Sequence, residues 1–395
     1  MAAGRRLERG PRSVFETDVS PRRILPMDGL RGFAVLLVFC VHYCALIEPW
    51  MPVGTASFRL VTALRTLGNS GVDLFFVLSG FLIYGTLMEK PRPFIPYFRR
   101  RLERIYPAFL CLFVVYFGLS FVLPSENHIP TELWNGIGYV LANLSLLPLL
   151  VTPYRPMIIV TWSLSYELFF YIVMPIAIGA LMLRRWSRAY RAVLWLSVAG
   201  LIFSCAGGLG GGVRVAMFVG GILLRDTLRT TPTHVADAIG MTGLLGAIVL
   251  TTAISELGLS QVWRFLMLFI SFYALCYGSF AARGLCARMF SYSPLRWLGN
   301  MSYSFYLSHG LALKAFFLIV GLIIKPKGNC GHLFWGLFPF AIATALVGAT
   351  VLFIFVEKPY SFARRSLRVP APQWSEPPET CPSRVATAGA VGERS

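Results

Sequence analysis

The stretch Leu30–Tyr43, LRGFAVLLVFCVHY, sets an arginine and a histidine eleven residues apart around an apolar run that reads as the start of a membrane span. At about 100° and 1.5 Å per residue, eleven steps bring Arg31 and His42 to within roughly 20° of one helix face, about 16 Å apart in depth. An ionisable side chain inside a span is costly and by default marks a functional position. The pair therefore reads as a reaction axis through the membrane. Two structural readings stand beside it: Arg31 snorkels at the interface, and His42 is a neutral histidine hydrogen-bonded within a helix bundle.

The 395 residues are 56% hydrophobic and only 14% charged, where a soluble domain carries about a quarter of its residues as charge. A formal net charge of +18 would suggest nucleic-acid binding in a soluble chain. Here the positive-inside rule accounts for it, and no nucleic-acid partner is expected. Apolar runs at 32–48, 71–88, 107–123, 158–183, 192–206, 213–224, 238–255, 263–282, 301–324 and 333–356 predict an all-α, polytopic transmembrane helix bundle of about ten spans. With the N-terminus in the cytoplasm, most of the 36 Lys and Arg fall on inside segments and both termini are cytoplasmic. Making Trp134–Val151 a further span would turn the basic run Arg184–Arg191 outward, so it is read as a re-entrant segment. The run at 213–224 is short and is expected to begin within the glycines at 207–212.

Residues 1–23 form a basic arm too polar for a secretory signal and are expected to be a disordered cytoplasmic tail. Residues 366–395, rich in Pro, Ser, Glu and Ala, are expected to be another. The membrane domain is then 24–365. Eight cysteines and five histidines show neither a CxxC pair nor a metal-ligand spacing, so neither a metal site nor a disulfide framework is expected.

Four further segments carry polar chemistry. In GNSGVDLFFVLSGFLIY, Gly68–Tyr84, Asp73 stands at the outer mouth of the second span while Ser79 and Gly80 interrupt its apolar middle. These residues suit either close approach of a ligand or a helix-packing notch with Asp73 as an N-terminal cap. In FIPYFRRRLERIYP, Phe94–Pro107, Arg99, Arg100, Arg101 and Arg104 offer donors to phosphate, or simply attraction to anionic lipid. In TWSLSYELFFY, Thr161–Tyr171, Glu167 lies one turn after Ser163, with Trp162 as a supporting neighbour. Glu167 beside His42 would make a general base with an orienting acid. In LRWLGNMSYSFYLSHG, Leu295–Gly310, the polar stripe through Ser302, Tyr303, Ser304, Tyr306 and His309 suits a cavity wall. His309 is either a second site residue or a buried histidine bonded to a neighbouring helix.

Taken in order, PMDGLRGFAVLLVFCVHY, GVDLFFVLSGFLI, FRRRLERIYPA, TWSLSYELFFY, LGNMSYSFYLSH and FVEKPYS resemble the acyltransferase-3 family, the integral membrane O-acyltransferases of bacterial polysaccharides and related sugars. The resemblance runs from about Ile24 to Arg365. It implies that His42 is the catalytic base or a transient acyl carrier, supported by Glu167 or Asp73, and that Arg31 helps hold the donor. It further implies that Arg99, Arg100, Arg101 and Arg104 bind acyl-CoA, most simply acetyl-CoA, as co-substrate, with no bound cofactor. Ser163 and Glu167 match the family's S-x-x-x-E element, but Tyr166 and Leu168 stand where many members have Val and a second Glu, which leaves the acceptor uncertain. The expected partners are acyl-CoA, membrane lipids and a sugar or glycan acceptor, free or lipid-linked, at a bacterial inner membrane. With no hydrolase-like domain after the last span, the chain reads as the stand-alone form. A small-molecule glycoside such as an antibiotic sugar is a rival acceptor. A secondary transporter is a rival class, which the glycines at 207–212 would suit but the absence of an internal repeat does not.

Overall fold

Every regular element among the described residues is helical, as the hydropathy pattern predicts. The computed structural model describes residues 24–123, 127–146, 154–205, 210–256, 260–324 and 331–362. The two tails, residues 147–151 of the re-entrant segment and residues 207–209 of the glycine run lie outside them. The helices are α1 (Leu25–Ile47), α2 (Ala56–Gly68), α3 (Gly71–Glu89), α4 (Phe94–Val122), α5 (Leu133–Leu144), α6 (Trp162–Ala180) and α7 (Arg188–Ser204). They continue with α8 (Ala216–Thr227), α9 (Thr233–Glu256), α10 (Gln261–Ala281), α11 (Leu285–Phe290), α12 (Ser293–Asn300), α13 (Ser302–Ile323) and α14 (Gly331–Leu352). A π-helical stretch, Phe353–Phe362, extends α14.

Among the described residues, eight segments are long and apolar enough to cross a membrane, which makes this an integral membrane protein. Two of the ten runs read as spans form shorter helices. α7 has 17 residues and α8 has 12, the latter about 18 Å long against a hydrocarbon layer of roughly 30 Å. Burial accounts for α8, since nearly every residue from Ala216 to Leu224 is enclosed by protein. A helix surrounded by other helices has no need to match the lipid thickness. α5, also 12 residues, covers the described part of the segment read as re-entrant and is too short to cross.

The basic segment and the third span are not separate elements. α4 runs unbroken from Phe94 through Pro107 to Val122, so its arginines project from the first turns of the helix that enters the membrane. Pro107 removes one backbone donor without ending the helix.

α1 packs against α2, α3, α11, α12, α13 and α14, and so forms the centre of the bundle. Glycine makes this possible at its first turns. A Cβ on Gly29 would overlap the carbonyl oxygen of Phe290, one on Gly32 that of Leu295, and one on Gly299 that of Asp28. The two backbones touch, which fixes how α1 is rotated and hence where Arg31, between the two glycines, points. Near its other end Tyr43 donates to the carbonyl of Phe334 at 2.6 Å, tying α1 to α14. The α3–α8 contact uses the same device: Gly80 lies against the carbonyl of Phe218 and Gly221 against that of Val77. Gly80 is therefore the packing notch rather than a gap for a ligand. α3, α7 and α8 are further clasped by a buried ion pair. Arg191 donates to both oxygens of Asp226 at 2.9 and 2.7 Å, and Tyr84 donates to the same carboxylate at 2.8 Å.

Replacing Gly32 by valine should force α1 from α12 and cost about 1–3 kcal/mol or more, read as a lower thermal midpoint in detergent. Gly118→Ala, in α4 where an added Cβ meets open space, should leave the midpoint unchanged or raise it, since glycine costs a helix interior roughly 0.5–1 kcal/mol relative to alanine.

Candidate active site

A cavity of about 790 Å3, open space at its mouth included, lies between α1, α3, α4, α6 and α13. Its apolar wall follows α3 from Val72 to Ile83, about 16 Å of helix. Its polar wall comprises Arg31 of α1, Ser79 of α3, Arg101 and Arg104 of α4, Ser163, Glu167 and Tyr171 of α6, and Ser302, Tyr303 and Tyr306 of α13. Three guanidinium groups and one carboxylate thus face one space. The fields of Glu357 and Glu167 reach Arg31 as well as that of Arg104.

Helical periodicity sorts the arginine run. Arg101 and Arg104, three apart, share the face toward the cavity. Arg99 turns away to an i,i+4 ion pair with Glu103 at 3.0 Å, and Arg100 donates to the carbonyl of Pro96. Arg101 is held between two aromatic faces, 5.5 Å from the ring centre of Tyr97 and 5.1 Å from that of Tyr171. Tyr171 in turn donates to Glu167 at 2.5 Å, and Ser79 donates to the same oxygen at 3.3 Å. Glu167 thus has hydroxyl partners in the cavity wall.

Ser163, one turn from Glu167, also lines the cavity. Tyr306 donates to the carbonyl of Val160 at 2.9 Å and so accepts from Ser163 at 2.7 Å. Tyr303 donates to the carbonyl of Ile105 at 2.7 Å, joining α13 to α4. Trp162 does not reach the cavity; the Arg214 guanidinium lies 5.3 Å from its ring centre.

His42 is not among the lining residues. Its ring neighbour is His309, with centroids 5.0 Å apart, and Lys314 of α13 acts on it electrostatically. His309 lies 6.1 Å from Tyr306, centroid to centroid. Tyr306 therefore stands between the cavity and the histidine pair. The expectation that a carboxylate holds His42 is corrected: Glu167 is engaged by Tyr171 and Ser79, and Asp73 faces Arg214 at 3.5 Å. The reason is rotational, because the face of α6 that carries Ser163 and Glu167 is turned to the cavity and Asp73 sits on the first turn of α3, beside Arg214. Nor is Asp73 a side-chain cap, since neither of its oxygens accepts a hydrogen bond among the described residues.

Reading the sequence by motif missed three contributors. Tyr171 follows Glu167 by four residues, a spacing that predicts their contact. Glu357, in FVEKPYS, is an intramembrane carboxylate that is 1% exposed. It accepts from the backbone N–H of Ser304 at 3.1 Å and from its hydroxyl at 2.5 Å, with the fields of Arg104 and Arg31 upon it. Arg214 had no signal, because its partner Asp73 is 141 residues away in sequence.

The buried Asp73 balances Arg214 and Arg264. Asp73→Asn should therefore destabilise the fold by about 3–5 kcal/mol, the usual cost of leaving a buried charge alone. Adding Arg214→Gln should restore part of that loss. Thermal unfolding of the single and double variants checks it, and a purely catalytic Asp73 would leave the midpoint unmoved.

The family model described as "Acyltransferase domain" matches residues 25–356, which include every residue named in this site except Glu357, the next along the chain. Acyltransferase MdmB of Streptomyces mycarofaciens is 31% identical over 190 residues, covering 45% of this chain and 44% of the relative. The putative peptidoglycan O-acetyltransferase YrhL of Bacillus subtilis (strain 168) is 25% identical over 390 residues, with 87% and 57% covered. O-acetyltransferase OatA of Staphylococcus aureus (strain NCTC 8325 / PS 47) is 27% identical over 333 residues, with 75% and 51% covered. The chain spans about half the length of the curated relatives it matches. No solved structure matches it. A transmembrane bundle with three arginines and a glutamate on one cavity, matched over nearly all its helices by one family model, belongs to the acyltransferase-3 family.

Proposed function

We propose that this chain is a membrane O-acyltransferase that moves an acyl group, most simply acetyl, from acyl-CoA to a hydroxyl of a sugar in a surface or exported glycan. The observation that carries the reading is the convergence of Arg31, Arg101 and Arg104, from two helices, on one apolar-walled cavity with a single lining carboxylate. Excess positive charge inside low-dielectric walls suits a polyanion with an apolar arm. Acyl-CoA has that form: phosphates at one end and a slender thioester-bearing arm at the other. Two of the relatives carry O-acetyltransferase in their names, one of them for peptidoglycan, which favours acetyl as the group and a glycan as the acceptor.

In this reading the donor enters from the end where α1 begins, and that end faces the cytoplasm at a bacterial inner membrane, a reading that the basic segments support. The phosphates meet Arg101 and Arg104, with Arg99 and Arg100 at the mouth, and Arg31 holds the donor further in. The pantetheine arm follows the wall of α3 toward Tyr306, and displacement of Tyr306 admits the acyl carbon to His42. His42 takes the proton of the acceptor hydroxyl as that oxygen bonds to the thioester carbon. The C–S bond breaks, and the CoA thiolate receives the proton from His42. Glu167, fixed by Ser79 and Tyr171, keeps the arginines oriented. Exclusion of bulk water protects the thioester from hydrolysis.

The test is transfer of label from acetyl-CoA to a bacterial glycan or lipid-linked sugar extract by purified protein in nanodiscs. Wild type should label the acceptor fraction and His42→Ala should not; a correctly inserted His42→Ala with normal transfer sinks the base assignment. Failure of the wild type to bind acetyl-CoA removes the donor. Arg101→Gln and Arg104→Gln should each raise KM for acetyl-CoA by roughly 10- to 100-fold, the equivalent of one charge-assisted hydrogen bond of about 1.5–3 kcal/mol. Arg99→Gln and Arg100→Gln should change it less than about threefold, as expected of exposed charges.

A further inference from the structure

Neither carboxylate expected to orient His42 reaches it, yet a general base needs one ring nitrogen held so that the other meets the substrate. His309 is placed to do this. It is 0% exposed, and its ring lies flat along Phe305 at 5.9 Å. Its Nδ1 lies 3.0 Å from the carbonyl oxygen of Phe305, one turn back on α13. A carbonyl only accepts, so Nδ1 carries the proton and donates, and Nε2 is left as the bare acceptor of a neutral ring. That Nε2 is buried and has no hydrogen-bond partner among the described residues. A buried acceptor without a donor is costly.

The neighbouring ring is His42. Two imidazoles joined by an N–H···N bond of about 2.9 Å stand with centroids roughly 5 Å apart, and these stand at 5.0 Å. The χ2 torsion of a histidine is broad, so the His42 ring can turn an N–H toward that Nε2.

We propose that His309 is the positioning residue for His42: its Nε2 accepts the N–H of His42, fixing the tautomer whose second nitrogen is bare and faces the acceptor hydroxyl. This rests on the acyltransferase reading above and supplies the orienting group that it lacks. As the hydroxyl proton moves to His42 and the C–O bond forms, the N–H···N bond becomes charge-assisted and strengthens where it is needed. The proton then passes from the same nitrogen to the CoA thiolate as the C–S bond breaks, and His309 itself neither gains nor loses one. A neutral partner also avoids placing a second charge at this depth of the membrane.

Two conservative variants separate orientation from structure. His309→Asn keeps a donor for the Phe305 carbonyl but has no atom where Nε2 was. His309→Gln loses that donor but puts an amide oxygen near the Nε2 position. Labelled acetyl transfer in nanodiscs, with kcat and KM for acetyl-CoA measured separately, should find kcat of His309→Asn reduced on the order of 100-fold. KM should stay within about twofold. His309→Gln should retain at least tenfold more kcat than His309→Asn. Equal kcat for the two, or the reverse order, overturns the proposal, because a merely structural histidine depends on its bond to Phe305. If only one variant inserts, the comparison is with wild type: His309→Gln within about tenfold supports the proposal, and His309→Asn within about threefold overturns it. His42→Ala, run alongside, distinguishes the failures. Transfer surviving in His42→Ala overturns the base reading itself, whereas an inactive His42→Ala with a fully active His309→Asn overturns only the role of His309.

Discussion

The cost of a guanidinium group at membrane depth governs this architecture. Arg31, Arg101 and Arg104 lie on helices that enter the apolar bundle, and lipid would exact several kcal/mol for each. The bundle keeps all three out of lipid by turning them into one cavity. It adds Glu167 on the cavity wall and Glu357 behind it, where its carboxylate is fixed by both the backbone and the hydroxyl of Ser304. The π-helical stretch after α14 carries that glutamate. Its wider turn is the kind of local irregularity that recurs at functional sites. Four segments far apart in the chain are thereby obliged to converge, and the cavity is what their convergence leaves open.

The buried charge pair between α7 and α8 is closed. Asp226 is fully engaged by Arg191 and Tyr84, and the arginine also meets the carbonyl of Trp186 at 2.7 Å. Such a pair has no spare donor to offer a ligand, and its contribution is to fix how α3, α7 and α8 sit. Arg101, on the cavity wall, differs in kind. Arg101 is held by aromatic faces rather than by a carboxylate fork, an arrangement that orients a guanidinium while leaving its N–H groups available.

Much of this was legible in the sequence, and the part that was not follows one rule. Composition and apolar runs predicted the helical membrane bundle. The spacing of Ser163 and Glu167 predicted a shared face, and both side chains line the cavity. These are properties of single helices, and period alone decides them. What failed was everything that depends on how one helix is rotated against another. The four arginines of α4 looked equivalent as a run, and only the placement of α4 against α6 divides them into two that face the cavity and two that do not. Asp73 and Glu167 looked like partners for His42 because spacing along a span gives a residue's depth alone. Equal depth says nothing about azimuth, and their partners proved to be Arg214, Tyr171 and Ser79. The glycines that set those rotations are visible as letters, but which carbonyl each one meets is not.

The separation of His42 from the cavity is itself informative. A histidine lining the same space as the donor thioester would stand ready to deliver water to it, and an acyltransferase that holds acyl-CoA without acceptor would hydrolyse it. Here Tyr306, bonded to Ser163 and to the carbonyl of Val160, lies between the two. Those bonds are two neutral hydrogen bonds, each worth about 0.5–1.5 kcal/mol net. An arriving ligand can displace them with a small part of its binding energy, whereas thermal motion leaves them closed most of the time. The same tyrosine packs against His309 and Phe75. In the proposed reading, movement of its ring reaches the histidine pair directly, and donor arrival and base alignment become one event rather than two.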